Sequence, residues 1–462
     1  MRIGIAAADI TPKAGTHLAG SGAGEHRPAR MALDPLHARA LVAESGGTML
    51  CIIALDVTIV TSDWTARIRD AVSAQHGIAV EAIMVHAIQT HSAPALGHFM
   101  FDPDFPALPP EIEYLRGSEA SYAAWVTGRV VAAVGLAIAD LEPVQVGSAS
   151  AVRDDLAFNR RAITRDGRAC MPWMFSHRDL PLGPSHIRFI EGPIDPEVGV
   201  FAARRDDLSL KAVLLHHTCH PVNVFATQYY AVSADWPGAW CESVGRQTGA
   251  IDRAIVLNGC CGNINPWPAF QADFRPDHRR MGAALADSAM AVLPRIEFRP
   301  ADEVNWCLDH VSIPLKPADA DRLAGARRTL DEHPEPRWLD ETPPRIDPVW
   351  FQAASIESVE LMRRRGPCID YEVQAFRLGD LAIVGFPGEP FVEGQLDLKL
   401  RSPSPQTFVA HCCTQYVGYL PTREAFAHGG HEVDFSYWAK LAPEALDLAV
   451  DKALELLRGL FA

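Results

Sequence analysis

The sequence predicts an α/β fold: a mixed-sheet core with surrounding helices and one helical insertion. Three observations lead there. Short continuous apolar runs of strand length alternate with longer helix-like segments, polar stretches rich in His, Gly and Asn follow those runs directly, and a charged, proline-broken stretch interrupts the pattern over 315–370.

Met49–Val57 (MLCIIALDV) is a continuous apolar run, as expected of a buried strand. Ser62 or Asp63 is placed to cap a helix reaching His76, and Gly77 to end it. A second buried strand covers Ala82–Ile88, a long Ala- and Val-rich helix Ser121–Leu141, and a returning strand Pro143–Val152. Leu210–His216 and Arg253–Asn258 read as strands, flanking a helix that has Pro237 in its first turn and runs to Thr248. Pro276–Leu293 is helical and stops at Pro294. Val304–Pro314 is a strand, and Asp319–Arg365 reads as two helices with a Pro-rich break at His333–Pro348, a peripheral cap. Tyr371–Leu378 and Leu381–Phe386 make a hairpin around Gly379-Asp380. Glu389–Leu400 is a helix, Thr407–His411 a strand and Pro443–Leu460 a closing helix.

Composition narrows the classes. With 462 residues, 48% hydrophobic and 21% charged, the chain has ample material for a large core, and residues 1–462 read as a single domain. A formal charge of −15 repels phosphate backbones and anionic lipid, so neither nucleic acid nor membrane is an expected partner. Asp9 interrupts the N-terminus before any signal-like apolar stretch forms, and no run of about 20 apolar residues is expected to span a bilayer. A cytoplasmic location follows as an expectation. The ten cysteines then belong in a reducing compartment, without disulfides, and the adjacent pairs Cys260-Cys261 and Cys412-Cys413 are not a zinc-finger pattern. Large acidic enzymes of this kind are often homo-oligomers.

Five polar stretches carry candidate chemistry. Gln89-Thr90-His91-Ser92-Ala93-Pro94 follows a strand, and His91 can bind a metal, exchange a proton, or simply be bonded within the loop. His216, His217 and His220 fall within five residues, His220 in the turn being best placed for a metal. Asp235 either caps the next helix or orients a ligating His. In Asn258–Pro266, Gly259 and Gly262 allow close backbone approach, while Asn263 and Asn265 offer amide donors for an oxyanion; a plain tight turn is the other reading. Glu389, at the expected start of a helix, gains from the helix dipole and either ligates a metal or caps. Tyr416 and Tyr419, followed by Gly429-Gly430-His431-Glu432, look like exposed residues of a Gly-rich binding loop.

The order of these motifs resembles the neutral (neutral/alkaline, non-lysosomal) ceramidase family. The resemblance rests on Asp9-Ile10-Thr11-Pro12, Thr90-His91-Ser92 with Pro94, Asn159-Arg160, His220-Pro221, Gly262 to Pro266, Pro387-Gly388-Glu389 and Tyr416 with Tyr419. It runs from Gly4 to about Glu432 and corresponds to that family's N-terminal catalytic domain; no counterpart of its C-terminal immunoglobulin-like domain is expected. In the family, zinc is held by two His, a Glu and a Tyr, and zinc-activated water attacks an amide carbonyl. The resemblance therefore implies His220, Glu389 and Tyr419 as ligands of Zn2+ or another divalent metal, with His91 beside them. It also implies Arg160 near the substrate, and Gln89, Asn263 and Tyr416 as substrate-binding residues.

Two positions depart from the family. Gln89 stands where the family has its first zinc-ligating His, and Gln is a weak neutral ligand. His91, His86 or His217 can take its place, a harder metal can be used, or the site can be empty. Asn265 stands where the family has a catalytic Ser; its amide cannot be such a nucleophile but can donate to an oxyanion. The expected function is metal-dependent hydrolysis of an amide or ester in a small soluble molecule other than ceramide, with His91, Arg160, Asp235 and Asn265 as the catalytic set. The alternatives are a metal-free lyase or carbohydrate-modifying enzyme with His91 as base, and an inactive binding protein.

Overall fold

A computed structural model describes residues 1–21, 25–106, 108–172, 186–271, 273–341 and 344–462. The apolar runs build three mixed sheets. The first is ordered Ile83–Ala87, Thr48–Leu55, His37–Ser45, Arg2–Asp9, Glu142–Pro143. The second is ordered Ala254–Asn258, Leu210–His217, Glu197–Arg204, Gln145–Val152. The third is ordered Val304–Pro314, Cys368–Leu378, Leu381–Gly385, Gln406–Ala410. Each sheet is antiparallel except for one parallel pair at its edge: Thr48–Leu55 with Ile83–Ala87, Leu210–His217 with Ala254–Asn258, and Leu381–Gly385 with Gln406–Ala410.

Those parallel edges meet. Ala87 N–H donates to the Cys412 carbonyl at 3.2 Å, and His411 N–H to the Asn258 carbonyl at 3.0 Å. The loops that leave the C-terminal ends of the parallel strands therefore open into one region, as at the crevices of open α/β sheets.

Helices cover the sheets. Ser62–His76 packs against Ala120–Ala139, which lies on the first sheet; Asp235–Thr248 and His278–Val292 pack together at the second; Ala445–Leu460 covers the third. Leu446, Val450, Leu454 and Leu457 recur at helical spacing along Ala445–Leu460 and are buried, each contributing roughly 1.5–3 kcal/mol. The helix at residue 62 starts from Thr61, not from Ser62 or Asp63 as expected: Thr61 has the extended backbone of a cap and its hydroxyl bonds Asp63. Gly77 ends it in the left-handed conformation, φ 71°. Pro237 sits in the first turn of Asp235–Thr248, as the sequence suggests.

Two further expectations change. Ala120–Ala139 is long and apolar enough to cross a membrane by length and hydropathy, contrary to the reading of the sequence; here Val126, Val130 and Val134 of that helix pack inward. Within 315–370 the helices Ala320–Glu332 and Pro348–Arg365 form, and the break between them holds a hairpin, Trp338–Glu341 with Pro344–Ile346. Residues 342–343 lie outside the described residues. The second of these helices is no peripheral cap, because Trp350, Phe351 and Ala354 are buried in the main core beside Phe101 and Phe105. All ten cysteines are free thiols.

Candidate active site

Five loops reach the common region, and each is fixed by its own backbone chemistry. After Ile83–Ala87 the chain turns through Gln89, which takes a left-handed φ of 66°. Thr58 Oγ1 donates to the Thr90 and Ala93 carbonyls at 2.8 and 2.9 Å, and Thr90 Oγ1 to the Ser233 carbonyl at 2.7 Å. His91 N–H donates to the Pro221 carbonyl, 3.1 Å, tying the first loop to the second. Gly20 packs so close that a Cβ there would lie 2.4 Å from His91 Cα.

In the second loop, His220 N–H and Nδ1 both face the Ile264 carbonyl, at 3.0 and 3.1 Å. Its Nε2 lies 3.1 Å from Glu389 Oε2. The third loop passes under Glu389: Gly262 N–H donates to the Pro390 carbonyl at 3.0 Å, and a Cβ on Gly262 would lie 2.4 Å from the Glu389 carbonyl oxygen. The fourth and fifth loops form a two-residue parallel pair, Glu389 opposite Tyr419 and Pro390 opposite Leu420. Glu389 thus precedes the helix Val392–Arg401 by three positions, and the helix dipole expected to hold its charge is replaced by side chains. Tyr416 Oη donates to Glu389 Oε1 at 2.8 Å.

Arg160 fills the gap between these groups. Its Nε donates to Glu432 at 2.8 Å, Nη2 to Tyr419 Oη at 3.1 Å and Nη1 to Asn265 Oδ1 at 3.3 Å, while Nη1 stands 3.5 Å from both ring nitrogens of His220. Glu432 also accepts from Arg161 Nη1 at 2.7 Å, and Arg161 pairs with Glu191. Burial pushes the Glu432 carboxyl up, but Arg160 and Arg161 outweigh it and hold the group at about 2. Burial acts likewise on Glu389; the His220 hydrogen bond and charge, with Arg160 and Tyr416, hold it well below the usual carboxylate range. His91, 5.6 Å from His220 between ring centroids, makes no ring hydrogen bond among the described residues, and burial with the neighbouring cations pushes it down to about 3.

A cavity of about 310 Å³ opens at this point, lined by Gln89, His91, Arg160, Asn265, Glu389, Tyr416 and Tyr419 together with apolar and aromatic side chains. His220 is completely buried directly behind Glu389. Two expected site residues lie elsewhere. Asn263 points away from the cavity: its Oδ1 accepts from Val392 N–H at 3.0 Å, its Nδ2 donates to Glu393 at 2.9 Å, and it serves to hold the start of the following helix. Asp235 orients no histidine; buried and at φ 53°, it accepts from Asn223 Nδ2, Val224 N–H and Trp236 N–H at 2.7–3.0 Å. The two substitute histidines are also engaged away from the cavity, His86 between the His411 carbonyl and Asn258 N–H, His217 on the Glu197 carbonyl. Tyr419 is buried rather than exposed on a binding loop.

Glu432, Arg161, His431 and Trp438 belong to the site although the sequence gives little sign of them. His431 and Trp438 stack at 5.4 Å and both line the cavity. Only the unusual Gly-Gly-His-Glu run marks the segment; that Glu432 neutralises an arginine 272 positions away is invisible along the chain.

His220 and Glu389 offer two adjacent donors to a metal ion. Among the described residues no three His, Cys, Asp or Glu side chains group around one point, so a cation here would need the Tyr419 phenol as well, whose hydroxyl accepts from Arg160 at 3.1 Å. A neutral imidazole donates from one nitrogen only. With Nδ1 facing the Ile264 carbonyl, a neutral His220 presents a lone pair at Nε2 to a carboxylate oxygen, so the pair requires a proton or a cation between them. Two donors on adjacent corners of a tetrahedral zinc lie roughly 3.3 Å apart, close to the observed 3.1 Å.

The sequence matches no protein-family model and no curated protein. Solved structures do match. The neutral ceramidase from Pseudomonas aeruginosa aligns over 100% of this chain and 74% of its own length, with a TM-score of 0.71 and 16% identity. A ceramidase complexed with C2 aligns over 99% of this chain and 75% of its own length, with a TM-score of 0.70 and 16% identity. The fold of this chain is therefore neutral ceramidase-like, as the order of its loop motifs implies.

Proposed function

We propose that the protein is a metal-assisted hydrolase of an amide or ester bond in a small soluble substrate. One observation carries the reading: a buried imidazole nitrogen and a buried carboxylate oxygen face each other at 3.1 Å beside a cavity, in a geometry that a proton or a metal ion between them satisfies. His220 Nε2, Glu389 and Tyr419 Oη would hold the ion, with the Gln89 side chain or His91 as a further donor. When bound, such an ion supplies Lewis acidity, polarising a carbonyl and acidifying water.

The chain's own residues divide the remaining work. Among the described residues Asn265 Nδ2 donates only to the Met171 sulfur, at 3.7 Å, which leaves it able to donate to an oxyanion; Arg160 adds fixed positive charge beside it. Tyr416 fixes one carboxylate oxygen of Glu389, and the Ile264 carbonyl fixes the His220 ring, so neither donor must reorganise during the reaction. In the hydrolysis, the oxygen of water bonds to the carbonyl carbon, the C–N or C–O bond breaks, and one proton of the water passes to the leaving amine or alcohol. His91, neutral and facing the cavity, is the residue placed to relay that proton.

The runner-up is metal-free chemistry with His91 as base, favoured by its ring having no hydrogen-bond partner among the described residues. His91 serves in both readings, and what ranks this one second is that it leaves the facing His220 and Glu389 pair without a role. Elemental analysis of the purified protein separates them. The first reading expects about one zinc, manganese or iron per chain, lost in His220→Ala, and a lower Tm after chelation. Metal-free protein that still turns over an ester or amide supports the second, and absence of both metal and turnover leaves a binding protein.

A further inference from the structure

The walls of the cavity limit what enters it, and this inference rests on the hydrolase reading above for the identity of the bond cut. A volume of about 310 Å³ sits at the lower end of small-molecule pockets. Its sides are mostly rings: Phe99, Trp438, Trp267, Phe225 and Tyr416, with the flexible Met100.

Those walls are braced. Phe99 stands edge-on to Tyr416 at 5.4 Å, and so touches the residue that orients Glu389. Phe99 and Met100 N–H both donate to the Arg116 carbonyl, at 3.0 and 3.2 Å, and the Arg116 side chain in turn donates to the Phe105 and Pro106 carbonyls. Arg365, at the end of the helix Pro348–Arg365, clamps the buried Asp102 carboxylate with two bonds of 2.7 and 2.5 Å. Residue 107 of this segment lies outside the described residues. The Trp438 carbonyl accepts from Tyr419 N–H at 2.7 Å, its ring stacks on His431, and Phe351 lies 6.2 Å from it. The main chain of the Phe99 wall is thus held beside an ion pair, and that of Trp438 by a backbone hydrogen bond shared with Tyr419.

We propose that the acyl group of the substrate is compact, a short aliphatic chain or a single aromatic ring, and that Phe99, Met100 and Trp438 enforce the limit. A volume of that order holds a short chain or one ring between the walls, a longer alkyl chain has to leave through the mouth, and a flat ring meets several aromatic faces at once.

Two measurements on the full chain test this. The first is hydrolysis of p-nitrophenyl acetate, benzoate and myristate, the last kept below its micelle concentration. The expected result is kcat/KM for myristate at least tenfold below benzoate, with the gap closing at least fivefold in Trp438→Ala and in the milder Phe99→Leu. A gap smaller than tenfold in the native protein overturns the proposal. The second is calorimetric binding of phenylacetate and myristate, which needs no catalysis; myristate should bind at least tenfold more weakly, and equal or tighter binding overturns the proposal. If no ester turns over but the binding order holds, the hydrolase reading falls and the size limit stands. If esters turn over and myristate is preferred, the reverse is true.

Discussion

Replacing Glu432 by Gln tests the electrostatic frame of the site. The carboxylate is 2% exposed and shared by Arg160 and Arg161, at 2.8 and 2.7 Å. It is held at about 2 against an ordinary 4.5, and at about 1.4 kcal/mol per pH unit that difference is worth about 3 kcal/mol. Removing one partner of a buried ion pair typically costs about 3–5 kcal/mol, so the two routes agree. The sign follows from a depressed carboxyl: the stabilisation is fully present above 4.5 and is lost as pH falls toward about 2. Urea unfolding of native and Glu432→Gln protein should therefore differ by about 3 kcal/mol at pH 7 and by less than half of that at pH 3. A variant as stable as the native protein at pH 7, or a difference that persists unchanged at pH 3, would refute the reasoning.

Other consequences are as concrete. Gly262→Ala drives a Cβ toward the Glu389 carbonyl oxygen, so it should cost about 1–3 kcal/mol and lower bound metal in elemental analysis; a metal-replete, fully active variant contradicts the packing argument. Burial pushes the Lys440 amine down to about 7, so the unfolded chain binds more protons between there and 10.5 and stability should rise with pH across that window. Lys440→Met should flatten the rise, seen by melting at pH 7, 8.5 and 10, and an unchanged slope counts against the burial. Trp350→Ala empties a fully buried site between the insertion helix and Phe101, and should cost about 3–5 kcal/mol by denaturant titration; a loss under about 1 kcal/mol would mean that helix is peripheral after all.

Much of this architecture is legible along the chain. MLCIIALDV and LKAVLLHH read as buried strands because sheets covered on both sides need no polar alternation. The strands Arg2–Asp9, His37–Ser45 and Glu197–Arg204 escape because Ala, Arg and Glu carry weak strand preference and their pairing comes from partners far along the sequence. The polar loops after strands signal the site, and His220, Glu389, Tyr419, Arg160 and Asn265 do come together there. Asn263 and Asp235 mislead for a common reason: a buried polar side chain that satisfies backbone N–H groups looks, in sequence, like one waiting for a ligand. The cavity wall is illegible because Phe99, Trp438 and Arg365 meet only through the tertiary fold.

The short parallel pair that sets Glu389 opposite Tyr419 has a further bearing. Side chains on a strand switch sides at every step, so a slip of one position in either segment would turn a donor out of the cavity. The facing of these two groups is thus written into the main chain's alignment, and the choice of rotamer merely refines it. Mutations that remodel the aromatic walls leave that alignment alone, so the lining of the cavity can drift while its two polar groups keep their places.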